Sequence, residues 1–248
     1  MGYPFVLSQI NEFLFRDVLI EYKMKYIIIQ AISKLAKGGR IFCSEADFQF
    51  ALAWELQGLL PKADIFLEKA IDVPNDIFYI DIVVFNGGRY YYIELKYHTS
   101  LCDWAYKGST LHLKEQSAQD LLRYDYLKDI NRLLLVSNVC REVFGGGYAI
   151  ALTNDRLVYD EPRLYSNKVL DYYFRIHERK AEKKIVYPVP GTVKWNNETI
   201  MDPNHWTKHG ERSLTFSLPR INTEWTHYLS FFDNNSKSQV FKYLLNEI

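Results

Sequence analysis

A chain of 248 residues, 48% of them hydrophobic, has enough apolar material for one large core or for a core with an appendage. Its 30 Lys and Arg balance 30 Asp and Glu, which argues against a general nucleic-acid coat, where phosphate neutralisation demands a basic surface. No apolar run is long enough to span a membrane, and the first residues lack a signal-peptide pattern. Cys43, Cys102 and Cys140 show neither zinc spacing nor a disulfide framework, so a reducing cytoplasm is expected.

In chain order, residues 1–40 carry two helix-like segments, roughly 6–15 and 17–36, ended by Gly38-Gly39. Ser44-Glu45-Ala46-Asp47 then opens a helix that runs to Leu59. Ser44 suits the N-cap, and Glu45 and Asp47 suit the positive end of the helix dipole. Pro61 marks a loop, and a strand is expected around Ile65–Ala70.

The most informative stretch is Tyr79–Lys96, YIDIVVFNGGRYYYIELK, two β-prone runs around Asn86-Gly87-Gly88. Charges avoid such strands, because burying an unpaired one is costly, yet Asp81, Glu94 and Lys96 lie within them. Side chains alternate faces along a strand, so Glu94 and Lys96 point the same way. With a two-residue turn, either Asn86-Gly87 or Gly87-Gly88, Asp81 falls on that same face; in the Gly87-Gly88 case Phe85 faces Tyr90 and Asp81 lies opposite Glu94. Ile80, Ile82 and Val84 then share the other face with Tyr91, Ile93 and Leu95. Two opposed carboxylates repel, which raises a pKa or demands a cation, and oxygen ligands suit Mg²⁺ or Mn²⁺. A lysine beside them can hold a water or stabilise charge on a phosphate. Taken alone, the three residues fit a salt bridge of Lys96 with Glu94 or Asp81 equally well.

After the hairpin, 98–109 reads as a loop containing Trp104, Tyr106 and Lys107, and Leu113–Leu135 as an amphipathic helix. Gly147–Thr153 reads as a buried strand. Beyond residue 156, short β-prone pieces at 186–200, 212–216 and 226–232 alternate with turns, and Gln239–Leu245 is expected to be a closing helix. His205 and His209 lie four apart but lack a helix signal and an intervening Glu, so they do not form a metallopeptidase motif.

Asp81 followed by Glu94-Leu95-Lys96 resembles the signature of the PD-(D/E)XK superfamily, the restriction-endonuclease-like nucleases. Ile80 stands where the proline of that signature belongs. The resemblance implies an α/β (α+β) fold with a restriction-endonuclease-like core, a mixed β-sheet flanked by helices. The core would span 41–155, with N-terminal helices (1–40) packed on it and a β-containing C-terminal extension (156–248). It implies Asp81 and Glu94 as metal ligands, Lys96 as the catalytic lysine, and Glu45 as a helix-borne contributor; Glu45 as a helix-capping acid remains the alternative. Gln116, Gln119, Arg123 and Lys107 become candidate nucleic-acid contacts, although a Gln followed four residues later by Tyr, found in some members, is not reproduced.

The activity so implied is Mg²⁺- or Mn²⁺-dependent hydrolysis of phosphodiester bonds, with DNA as the expected partner and no membrane. Members often form homodimers, for which the N-terminal helices or the C-terminal extension offer surfaces. The alternatives are a catalytically silent nucleic-acid- or protein-binding module on the same fold, and an assembly protein with an aromatic contact face.

Overall fold

The computed structural model describes residues 24–161, 175–178, 191–193, 216–218 and 223–248. The segment expected at 6–15, His205, His209 and most of 186–215 lie outside these residues. Helix α1 covers 24–37, followed by α2 (Glu45–Leu59). Strands β1 (Asp64–Val73), β2 (Asp76–Asn86) and β3 (Arg89–His98) come next, then the short pair β4 (Cys102–Tyr106) and β5 (Ser109–Leu113). Helix α3 (Gln119–Val139), strand β6 (Phe144–Thr153) and the single turn α4 (Arg156–Tyr159) complete the first part. The later described elements are β7 (Gly191–Val193), β8 (Phe216–Leu218), β9 (Thr226–Phe232) and β10 (Ser238–Glu247).

A mixed sheet of six strands, ordered β1-β2-β3-β6-β10-β9, forms the centre. β3 and β6 are parallel, joined through α3, and the other neighbours are antiparallel. Each face carries its own core. On one, Ile28 and Ile32 of α1 and Phe48, Leu52 and Leu56 of α2 cover Ile82, Val84, Ile93 and Leu95. On the other, Leu122, Tyr126, Ile130 and Leu133 of α3 cover Val83, Tyr92, Ala149 and Ala151. The fold is therefore α/β, a sheet between helical layers. No described helix is long and apolar enough to cross a membrane.

The hairpin has the expected register: Phe85 pairs with Tyr90 and Asn86 with Arg89 around Gly87-Gly88. Both glycines take positive φ, 61° and 82°, the backbone of a tight hairpin turn that other residues adopt only with strain.

Four expectations are corrected. Residues 98–109 are not one loop, because Cys102–Tyr106 pairs with Ser109–Leu113. Trp104 packs against Tyr106 and Phe231, each at 4.9 Å between ring centroids. The long helix starts at Gln119 and not at Leu113. Leu113 belongs to β5, and Ala118, at φ 77°, breaks the chain before the helix. Gln239–Leu245 is not a helix but part of β10, buried between β6 and β9. β9 and β10 therefore extend the central sheet, while β7 and β8 pair as a separate two-stranded antiparallel sheet.

The last correction concerns faces. Ile80 packs with the α3-side core, whereas Ile82 and Val84 pack with the α1/α2-side core. On β1, Ile65 and Ile71 divide the same way. Both strands thus change face between the pairs Leu67–Ile82 and Lys69–Ile80, without a change of register. Glu68 and Asp81 sit at the change, and Glu68 holds φ 50°, a left-handed backbone uncommon for a residue with a side chain.

Candidate active site

Regular pairing between β2 and β3 stops at Ile82–Ile93. At the next position Leu95 N donates to Asp81 Oδ2 at 2.6 Å, so the aspartate side chain takes the place of β2 backbone. Two residues on, Tyr97 N donates to Glu45 Oε2 at 2.7 Å. Successive outward amides of β3 are therefore capped by two carboxylates, one from β2 and one from α2. Gln49, one turn along α2, donates its amide to Asp81 O and to Glu68 Oε1, both at 2.7 Å. The backbone group freed by the kink thus keeps a partner, as a part-buried carbonyl must.

Ser44 caps α2 as expected, accepting from Asp47 N at 3.1 Å. Glu45 therefore stands in the first turn of a well-formed helix, yet its carboxylate reaches β3, so the capping reading does not account for it.

Glu94 and Lys96 face α3. Lys96 Nζ lies 2.5 Å from Asp129 Oδ2, and Arg132 Nη1 lies 3.1 Å from Glu94 Oε1 and 3.4 Å from Asp129 Oδ1. Arg132 Nη2 also donates to Tyr79 O at 2.6 Å, and its guanidinium covers the Phe78 ring at 5.0 Å. Glu94 is only 2% exposed. Its Oε1 has the Arg132 charge beside it but no hydrogen bond in good geometry. Asp81 N lies 3.5 Å from Glu94 Oε2, so Glu94 reaches the Asp81 backbone at the kink, while the Asp81 carboxylate turns to Leu95 N.

Four carboxylates (Glu45, Asp81, Glu94, Asp129) here face two cations, Lys96 and Arg132. Burial, opposed by Lys96 and the Leu95 amide, pushes Asp81 up to about 6. Burial and the neighbouring Asp129 and Asp81 charges hold Glu94 well above the carboxylate range against Arg132 and Lys96. Glu45 is raised by burial too. Burial alone would lower Lys96, but Asp129, Glu45 and Asp81 reverse it, and the amine stays charged at neutral pH. Among the described residues, no group of three or more His, Cys, Asp or Glu side chains is disposed to hold a metal ion.

The remaining candidates are used elsewhere. Gln116 Oε1 accepts from Thr99 N at 2.7 Å, and Gln119 Nε2 donates to Asp155 Oδ2 at 2.9 Å. Arg123 is buried and donates to Leu157 O. Lys107 sits at the β4–β5 turn, its amine 5.1 Å from the Tyr106 ring centre.

Asp129, Arg132 and Gln49 are the site residues that the sequence reading missed. Asp129 carried a signal: it lies three residues after Tyr126 and four before Leu133, a charge inside the apolar stripe of α3. Comparison of the chain with protein-family models, curated proteins and solved structures returns no match.

Proposed function

We propose that the chain is a metal-dependent nuclease of the PD-(D/E)XK type, hydrolysing phosphodiester bonds, with DNA as the first substrate to test. The supporting observation is the gathering of Glu45, Asp81, Glu94 and Lys96 where β2 parts from β3. The chemistry of the donors suits Mg²⁺ or Mn²⁺, with hard carboxylate oxygens in excess over cations and a buried Glu94 oxygen lacking a donated hydrogen bond, although no three of the described side chains already converge as ligands. Asp81 and Glu94 would hold the ion, Glu94 after Arg132 withdraws from it. When bound, the ion supplies Lewis-acid polarisation of the phosphodiester and a more acidic attacking water.

The chain's own residues do the rest. Lys96, anchored by Asp129 and kept protonated, supplies positive charge where the phosphate becomes more negative. Because it stays protonated, it orients a water by donating a hydrogen bond to the water oxygen; it is an electrostatic group and not a base. Glu45 and Asp81 hold the β3 amides on either side of Lys96 and so fix the strand that carries it.

A second reading, the catalytically silent binding module, is favoured by one observation: Glu94 is ion-paired with Arg132 and Lys96 with Asp129. Cleavage of single-stranded, duplex and branched DNA and of RNA, with Mg²⁺ or Mn²⁺ and with EDTA, separates the two. Asp81→Ala, Glu94→Ala and Lys96→Ala are each expected to reduce metal-dependent cleavage by at least about a hundredfold, with folding checked by circular dichroism. Full activity in all three variants would remove the nuclease assignment.

A further inference from the structure

A groove of about 790 Å³ runs beside the kink, walled by the far end of the β1–β2 hairpin and by α3. That volume suits a ligand the size of a few linked rings and phosphates and is too small to enclose a duplex. The α3 wall is a single helical stripe, Lys128, Asn131, Arg132 and Leu135, at spacings of three and four residues. The strand wall presents Tyr79, 57% exposed, and Ile77, 50% exposed. Asp76, Asp81 and Glu68 also line the groove, so three carboxylates share it with the two cations Lys128 and Arg132. Exposed aromatic and apolar flats opposite side chains that bind phosphate are the components of a single-strand platform, where bases stack on rings and the backbone follows cations. A nucleic-acid strand would use both walls, with phosphates beside Lys128, Asn131 and Arg132 and bases beside Tyr79 and Ile77.

We infer that this groove holds one strand of nucleic acid, with a base stacked on Tyr79 and phosphates beside Lys128 and Arg132, leading the chain to Asp81. The inference rests on the nuclease reading for the direction of the strand but not for its binding. Asn131 adds an amide able to donate to a phosphate or to a base edge. Arg132 joins the groove to the site, since the same guanidinium lines the one and neutralises Glu94 in the other. A phosphate arriving beside Arg132 competes with Glu94 for it, so strand binding and release of that carboxylate are coupled.

The test is fluorescence anisotropy in EDTA, where cleavage cannot occur, with labelled thymidine and uridine oligomers of about ten nucleotides and a duplex of the same length. Expected is tighter binding of a single strand than of the duplex, DNA and RNA arms showing which sugar is preferred. Tyr79→Ala should weaken it roughly tenfold through lost stacking, and Lys128→Glu should weaken it and reduce the salt slope by about one. Tyr79→Phe, which keeps the ring, should bind as the wild type does. Duplex binding as tight as single-strand binding, or single-strand affinity unchanged in both Tyr79→Ala and Lys128→Glu, would overturn the inference. Strand binding with these losses but no cleavage under any metal supports the groove while removing the nuclease reading; cleavage unaffected by both substitutions does the reverse.

Discussion

Asp81 is held in a position that costs the fold free energy. A carboxyl raised to about 6 from 3.8 is easier to protonate in the folded chain than in the unfolded one. Its charge is therefore a penalty above the folded pKa, and the penalty disappears as pH falls below the unfolded value near 4. Two units at ~1.4 kcal/mol each put the cost at roughly 2–3 kcal/mol. Asp81→Asn keeps an oxygen for the Leu95 amide and removes the charge. In EDTA it should raise the melting temperature at pH 7.5, with the gain shrinking to nothing by about pH 4; a gain independent of pH would show that desolvated charge is not the cause.

Arg132 has the opposite effect. Removing it strands Glu94, an almost fully buried acid, and loses the bond to Tyr79 O. Arg132→Met should cost about 1–3 kcal/mol in urea denaturation, because Tyr79 O loses its donor and Glu94, already held well above the carboxylate range, takes up a proton in place of its ion pair. Adding Glu94→Gln should recover part of it. Glu94 and Lys96 could be read from the sequence because parity within β3 puts both on one face and the Gly-Gly turn sets the hairpin register; Asp81 lies where parity in β2 breaks, and only its nearness to β3 followed from the turn. Asp129 and Arg132 could not be paired with them, since no local rule says which face of a later helix will cover β3.

Among elements, local pattern succeeded where it agreed with packing and failed where the rest of the molecule overrode it. Val240, Tyr243 and Leu244 stand at helical spacing, so local pattern does not exclude a helix at 239–245. The open edge of β6 needed a partner more, and β10 pairs with it from Lys242 to Glu247. The kink at Glu68–Asp81 likewise left no mark in the alternation of apolar residues, because both strands change face together.

At the C-terminal ends of the parallel pair β3 and β6, Asp155 ties several elements. It caps α4 through Leu157 N at 2.9 Å, takes Gln119 of α3 at 2.9 Å and lies 3.2 Å from His98 of β3. Burial would raise its pKa, but the His98, Gln119 and Leu157 hydrogen bonds prevail and lower it. A lowered carboxyl stabilises the fold above its unfolded pKa, near 4, and that stabilisation is lost as pH falls through the folded value. Asp155→Asn should therefore cost about 1–3 kcal/mol at pH 7 and progressively less below pH 4, measured by denaturant titration at each pH. A constant difference across that range would assign the effect to shape and not to charge.

The whole molecule places its acidic cluster between two independent cores, one under α1 and α2 and one under α3. Those cores fix β3 from both faces, so the strained kink and the crowded carboxylates can persist without the sheet relaxing around them. Whatever relieves the excess negative charge should then stabilise the entire fold, since the elements around the site belong to both cores. A cation that binds only the folded chain adds about 2.7 kcal/mol at a hundred times its dissociation constant. For a chain of this length, that corresponds to a rise of roughly 5–10 °C in melting temperature. The expected result is such a rise when Mg²⁺ or Mn²⁺ replaces EDTA, and its loss in Asp81→Asn and in Glu94→Gln. Those variants are the informative controls, because each lowers the negative charge that the ion would otherwise neutralise. A wild-type chain that melts at the same temperature with either ion and with EDTA has its charges balanced by Arg132 and Lys96 alone, and is the silent module.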